Sequence, residues 1–216
     1  MGCDIHLIVE RKVGGAWELV TPDPKRTKYQ DWLKVNWDFP RSYDSFAIMA
    51  DVRNGYGTAG VDTGNGFVPI AEQRGIPADV STKEDRTDDV GGMWLGDHSH
   101  SWLTLAEIKA YDWTRRTKKR GLLKAEAYKE WREHRGYPKT GWSGGVFGRD
   151  VIRVSNEDMD AYLESPVKDG KDRYTEVEWW ADYKDAAGCL LSVIEELDKL
   201  NLGKPEEVRL VFGFDS

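Results

Sequence analysis

The chain has 216 residues, a net charge of −7, 39% hydrophobic residues and 32% charged residues, which is typical of one globular domain over residues 1–216. No apolar run approaches the roughly 18 residues of a membrane span, and the acidic balance argues against a duplex nucleic acid as partner, because its phosphates would be repelled on average. The only two cysteines, Cys3 and Cys189, lack metal-ligand spacing, so we expect buried thiols in a cytoplasmic protein with no cofactor.

Alternation predicts a strand over residues 2–10, and the "VGG" turn followed by "AWELV" predicts an N-terminal hairpin. Residues 21–42 are expected to be irregular. Ser42 or Asp44 is expected to cap a short helix that runs to Val52. From there to about residue 100 the chain shows many glycines and little periodicity, which predicts a long irregular middle region of the kind that often binds ligands.

In the second half, Thr104 and Glu107 form a capping box that predicts a helix over about 105–116. The other predicted elements are helices over 121–134, 156–164 and 184–201, and strands over 151–155, 175–183 and 207–215. This order favours the α+β class, with a mixed, largely antiparallel sheet that includes the N-terminal hairpin and the C-terminal strand and carries helices on one face.

Two sequence features in the second half of the chain concern residues expected at the protein surface. The basic cluster, which consists of Arg115, Arg116, Lys118, Lys119 and Arg120, is interpreted as a solvated helix end. In "EVEWWADY" the adjacent Trp179 and Trp180 are expected to point to opposite faces of a strand, one into the core and the other to a subunit interface or stacking surface.

A metal site is one hypothesis for the polar residues. Asp4 and His6 are two apart on a predicted strand and would face the same side, where they could share a cation. With Asp97 and His98 they are loosely similar to the opening motif of metallophosphoesterases, but the histidine segments that complete such a two-metal site are missing. The alternative is that Asp4 and His6 form a hydrogen-bonded pair on the sheet.

The stretch "WLGDHSHSW" is a second candidate. If it is extended, His98, His100 and Trp102 lie on one side, and Ser99 and Ser101 on the other. The serines would then lie near the free N–H groups of the following helix, where a phosphate could bind. The alternative is that these residues serve only capping and loop hydrogen bonds.

The glycine-rich middle carries a third set, in which arginines could hold phosphates and aromatic rings could stack on bases. Its members are Arg41, Tyr43, Arg53, Asn54, Tyr56, Phe67 and Arg74. The spacing matches neither a phosphate-binding loop nor a dinucleotide fingerprint. Arg53 has the alternative role of ending its helix.

The segments "MGCDIHLIVE", "SYDSFAIMADVRN", "RGIPADVS" and "GDHSHSWLTLAEI" together resemble a family of small phage-encoded proteins that inhibit CBASS, the bacterial defence that signals through cyclic oligonucleotides. The similarity covers most of residues 1–110. It implies a sponge, namely a homo-oligomer such as a tetramer, that acts in the host cytoplasm and binds cyclic dinucleotides such as cGAMP without cleaving them.

On this hypothesis the ligand contacts are chosen from the chemistry of the matched segments. Arg53 and Arg74 would bind phosphate, Tyr43 and Trp102 would stack on bases, and Asn54, Asp97, His98, Ser99 and Ser101 would make polar contacts. One alternative is a metal-dependent phosphodiesterase that uses Asp4, His6, Asp97 and His98. Another is an interaction protein that blocks a host enzyme through a surface rich in tryptophan, of which the chain has ten.

Overall fold

A computed structural model describes residues 2–20, 37, 39–81, 89–90 and 93–216. Their strands are β1 (Asp4–Val13), β2 (Ala16–Val20), β3 (Asp89–Val90), β4 (Met93–Trp94), β5 (His98–Thr104), β6 (Arg116–Lys124), β7 (Val151–Val154), β8 (Asp172–Asp182) and β9 (Val208–Asp215). Their α-helices are α1 (Tyr43–Ala50), α2 (Leu105–Ala110), α3 (Ala125–His134), α4 (Asn156–Glu164), α5 (Tyr183–Ala186) and α6 (Gly188–Leu200).

The chain divides into two compact units. The first unit comprises Met1–Asn54, Val68–Trp113 and Ala187–Ser216, and the second comprises Gly55–Phe67 and Thr114–Ala186. Each unit combines helices with a mainly antiparallel sheet, so the predicted α+β class is confirmed. That residues 1–216 form a single domain stays a prediction.

The sheet of the first unit has the strand order β2-β1-β9-β5, and every neighbouring pair is antiparallel. Gly14 and Gly15 join β1 to β2 as a two-residue turn, with φ of 58° and 91°, which suits the twist of a hairpin. The predicted hairpin and C-terminal strand therefore lie in one sheet, with β9 between β1 and β5.

Helices α1, α2 and α6 cover one face of this sheet, as predicted. The main core cluster there includes Leu7, Phe46, Leu103, Ile194 and Phe212. The other face is covered by an irregular segment, through a smaller cluster that includes Ile8, Val80, Leu95 and Val211. Strand β9 is buried almost throughout because both faces of the sheet are covered.

The second unit has the sheet order β6-β8-β7, with β8 antiparallel to β6 and parallel to β7. Its core lies between this sheet and helices α3 and α4, and includes Leu123, Trp131, Met159, Val177 and Trp179. Strands β3 and β4 pair with each other as a separate two-stranded sheet.

The predicted bounds of two helices were wrong. Helix α2 ends at Ala110, and α3 begins only at Ala125, because residues 116–124 form strand β6. The basic cluster therefore lies on a strand and not at a helix end. The alternation of buried and exposed residues along β6 could not be recognised from the sequence. Lys119 is only 2% exposed, at a position where the pattern of a half-buried strand requires an apolar residue.

Most of the other predicted elements are confirmed. Helix α1 is capped by the Ser42 side chain, and α2 begins with the predicted capping box. The predicted helix over 184–201 is divided into α5 and α6. Cys3 is buried as expected, but Cys189 is partly exposed. Most of the predicted irregular excursion over 21–42, and residues 82–88, lie outside the described residues.

The middle region is irregular over residues 51–81, where the one helical element is a turn of 3₁₀ helix at Thr58–Gly60, but its described residues from 89 onwards include strands β3 and β4 and the start of β5. Among the described residues, no helix combines the length and the apolar character needed to cross a membrane.

Candidate ligand-binding site

Three of the segments singled out in the sequence meet at one end of the four-stranded sheet. In the antiparallel register, Asp4 lies opposite Asp215, and His98 lies opposite Phe214. The start of β1 and the start of β5 therefore flank the end of β9. We call this region, together with Arg41, Tyr43 and Arg53, the sheet-end site.

Arg41 binds Asp4 in a bidentate pair. Its Nε donates to Oδ1 at 2.8 Å and its Nη2 donates to Oδ2 at 2.5 Å, and both side chains are 51% exposed. The hydrogen bonds from Arg41 hold the pKa of Asp4 below its ordinary value. Asp4 is thus a charged partner of a guanidinium.

His6 lies beside Asp215, with 3.3 Å between Nε2 and Oδ2. The other oxygen of Asp215 accepts a hydrogen bond from the backbone N–H of Asp4 at 3.1 Å. His6 therefore pairs with an aspartate of β9, and Asp4 pairs with Arg41; a direct hydrogen bond between Asp4 and His6 stays a prediction.

No group of three or more His, Cys, Asp or Glu residues in the described part of the chain is placed to hold a metal ion. Asp4, His6, Asp97 and His98 are all described, and they are not gathered into one centre. His98 instead lies between two hydroxyls, with Nδ1 at 3.0 Å from Ser99 Oγ and Nε2 at 3.1 Å from Ser216 Oγ.

Arg53 and Tyr43 form the arginine–aromatic pair of the site. The guanidinium carbon of Arg53 lies 5.6 Å from the centroid of the Tyr43 ring, a cation–π distance. Burial raises the pKa of the Cys3 thiol, and the charge of Arg53 opposes that rise. The Arg41 guanidinium lies against Gly2 and pairs with Asp4. The start of β1 therefore has one guanidinium beside it, and a second guanidinium stacks on the Tyr43 ring.

The backbone of Arg53 is strained. Its φ is 55°, in the left-handed region that non-glycine residues adopt at a cost of about 1 kcal/mol or more. Ser99, at the other side of the site, has a φ of 53°. Such strain is concentrated at binding and active sites, so both positions mark this end of the sheet as a candidate. Asn54, next to Arg53, donates to Asp51 Oδ1 at 2.6 Å.

A series of ring contacts links the two sides of the site. The ring centroids of Tyr43 and Phe46 are 5.9 Å apart, and those of Phe46 and Phe214 are 5.2 Å apart. The His98 ring stacks on Phe214 at 6.1 Å with an interplanar angle of 24°. Tyr43 and His98 are therefore held by one rigid aromatic cluster, although they are 55 positions apart in the sequence.

The expected regular alternation of "GDHSHSW" is wrong. The register between β5 and β9 shifts between His98 and Ser101, so the two serines do not share one side. Ser101 is buried and its hydroxyl accepts from the backbone N–H of Arg74 at 3.2 Å. In the capping box of α2, the Thr104 hydroxyl accepts a hydrogen bond from the Glu107 N–H. The hydroxyl thus occupies the position where a phosphate was expected.

Arg74 and Trp102 belong to an internal network further along β5. The Arg74 guanidinium lies 4.6 Å from the Trp102 ring centroid and makes two hydrogen bonds to Glu107, with Nη2 at 2.5 Å from Oε1 and Nη1 at 3.1 Å from Oε2. These bonds lower the pKa of Glu107 to about 2. Arg74 and Trp102 were both predicted to contact a ligand. The structure places Arg74 in an ion pair with Glu107 and over the Trp102 ring, and ligand contact by either residue stays a prediction.

Two residues of the site were missed at the sequence level, Asp215 and Ser216. They follow a predicted strand, and no local pattern indicates that this strand would lie beside the first one. Comparison of the chain with known protein families, with curated proteins and with solved structures finds no match.

Proposed function

We propose that this protein binds a cyclic dinucleotide such as cGAMP at the sheet-end site and sequesters it without cleavage. As a phage immune-evasion protein, it would act in the host cytoplasm. The observation that carries this proposal is the placement of Arg41 against Gly2 and Asp4 at the start of β1, together with the stacking of Arg53 on Tyr43. Guanidiniums are planar donors to phosphate, and an aromatic ring offers a face to a base.

The proposed contacts differ in part from those expected from sequence. Arg41 and Arg53 bind the two phosphates, and Tyr43 stacks on a base. His98 and Asp97 make polar contacts from the β5 side. Arg74, Ser101 and Trp102 support the fold through the network around Glu107 and do not contact the ligand.

Sequestration is favoured over hydrolysis by the arrangement of the acidic residues and histidines. Asp4, His6 and His98 are engaged in hydrogen bonds, and no three His, Cys, Asp or Glu side chains among the described residues are gathered as a metal site. The phosphodiesterase alternative therefore gains no support from the geometry of Asp4, His6, Asp97 and His98.

The test is to titrate the protein with a panel of cyclic dinucleotides by calorimetry, then heat the complex and analyse the released ligand by mass spectrometry. We expect binding, and recovery of intact ligand. Arg53→Ala should weaken binding about tenfold or more, since one charged phosphate contact is worth at least 1.4 kcal/mol. Arg53→Lys should be intermediate, because lysine keeps the charge and loses the planar fork.

Arg132→Ala is the matched control. Arg132 is also a partly exposed arginine in an ion pair, 2.9 Å from Asp160, but it lies on α3, in the second unit. It should leave the affinity unchanged. Absence of binding to every nucleotide in the panel would overturn the proposal, and recovery of a cleaved ligand would favour the phosphodiesterase.

A further inference from the structure

One face of the sheet in the second unit is exposed. Strand β8 alternates strictly, so that Val177, Trp179 and Ala181 are buried against α3 and α4, while Trp180 on the opposite side is 54% exposed. The prediction that one tryptophan of this pair is core and the other exposed is thus confirmed. We call the side of β6 and β8 that carries Trp180 the outer face.

The charges of the outer face are separated by strand. The charged residues on the β6 side are all basic, namely Arg116, Lys118, Arg120 and Lys124, and they are interrupted by Leu122, which is buried at 4% exposure. They pair with the neighbouring strand: Arg116 Nε lies 2.8 Å from Asp182 Oδ1, and Lys118 contacts Glu178. One strand therefore forms a positive row.

The β8 side of the outer face carries only acidic charges, namely Asp172, Glu176, Glu178 and Asp182. The positive row of β6 and this negative row lie side by side, about 5 Å apart, as neighbouring strands do. A surface with two adjacent rows of opposite sign is complementary to a second copy of itself.

We propose that the outer face packs against the outer face of a second copy of this chain. The two charge rows determine the orientation of the two-fold axis that relates the two copies. An axis parallel to the strands places β6 of one copy over β8 of the other, so each row meets the opposite charge. An axis across the strands places β6 over β6 and would bring like charges together.

Trp180 lies at the centre of this interface. In the sheet it is opposite Lys118, and under the two-fold it lies over Lys118 of the partner subunit, where a cation–π contact forms. Large aromatic residues at the centre of an interface contribute most of the binding energy. This proposal does not depend on nucleotide binding.

The dimensions of the face predict a weak dimer. The paired region of β6 and β8 is about 30 Å long and 10 Å wide, given the rise and spacing of strands, or about 600 Å² for the two copies together, which is below the roughly 1,000 Å² of a stable specific interface. The ion pairs must also lose part of their hydration. We therefore expect a monomer–dimer equilibrium that depends on concentration and shifts towards monomer in high salt.

Sedimentation velocity over a concentration series, at low and high salt, tests the proposal. Trp180→Ala should raise the dimer dissociation constant about tenfold or more. The control is Leu200→Ala on α6, since Leu200 is 50% exposed and should leave the equilibrium unchanged.

The double variant Lys118→Glu/Glu178→Lys separates association from folding. It keeps the Lys118–Glu178 pair within the chain with its signs exchanged, loses the half-exposed contact of Glu178 with Arg120 at 3.6 Å, and places a lysine opposite the partner's basic row. We expect a monomer whose thermal unfolding is lowered only slightly, because a half-exposed ion pair contributes little to stability. The proposal is overturned if the original protein is monomeric at all concentrations, or if either Trp180→Ala or the double variant still dimerises normally.

Discussion

Arg209 and Glu10 form an ion pair in the interior of the first unit. Arg209 Nε lies 2.7 Å from Glu10 Oε2, and the two side chains are 3% and 0% exposed. Arg209 also binds Asp79 at 2.8 Å and lies 3.9 Å from the ring centroid of Trp17. The pair thus joins β9 to β1 and to the segment around Asp79.

The first prediction concerns this pair. Arg209→Met leaves Glu10 buried without its cation, so we expect a loss of about 3–5 kcal/mol in the free energy of unfolding, measured in urea. Restoring neutrality with Glu10→Met in the same chain should recover much of that loss. Lys109→Met is the control, because the Lys109–Asp198 pair is 39% and 47% exposed and contributes less than about 1 kcal/mol.

The second prediction concerns competition at the sheet-end site. Asp4 holds Arg41, so Asp4→Asn should release a guanidinium and remove a negative charge. Nucleotide affinity should then rise about three- to tenfold at low salt, as measured by calorimetry. Asp198→Asn, which removes another paired carboxylate of the first unit, should have no effect. A fall in affinity for Asp4→Asn would contradict the proposed role of Arg41.

The third prediction concerns acid stability. Pairing with Arg74 lowers the pKa of Glu107 from 4.5 to about 2, so the folded state favours the charged carboxylate. This contribution is fully present above about pH 4.5 and is lost as the pH falls towards 2. Because Glu107 is 35% exposed and solvent screens the pair, we expect it to contribute about 1–2 kcal/mol.

Urea unfolding at several pH values checks this contribution. The original protein should lose more stability between pH 5 and about pH 2.5 than Glu107→Gln does. The two profiles should converge at the acidic end. Parallel profiles would show that the pairing with Arg74 does not contribute to the pH dependence.

The fourth prediction concerns Gly96. Its φ is 86°, and a Cβ there would lie 2.2 Å from the carbonyl oxygen of Phe214. Gly96→Ala should therefore force β5 away from β9 and cost about 3 kcal/mol or more. Gly75→Ala is the control, because Gly75 has a similar φ of 71° but nothing within 4 Å of the added Cβ, and it should cost about 1 kcal/mol. Equal effects would show that the contact with Phe214 is unimportant.

Local sequence patterns were sufficient to predict the elements whose defining residues lie within a few positions of one another. The hairpin turn, the Ser42 cap of α1, the capping box of α2 and the alternation of β9 were all readable because their partners are close in sequence. Strand β6 was missed because Lys119 breaks the expected apolar pattern. Pairing with β8 overrides that local signal.

The candidate site was only partly predictable. Asp4 and His98 were grouped in the sequence only as possible metal ligands, and the register with β9 is what places them at one end of one sheet. The pairing of Arg74 was not predictable from a local pattern, because its partner Glu107 lies 33 positions later. No pattern indicated the bulge at Ser99 that turns Ser101 inward.

The position of β9 between β1 and β5 has a consequence for synthesis of the protein. Strand β1 must wait for residues 208–215 before its sheet can close, so the first unit is assembled from segments about 200 positions apart. Contacts of such long sequence separation fold slowly. On the ribosome, the second unit would have all its strands before β9 emerges, and β1 and β2 would remain exposed to chaperones until β9 is made.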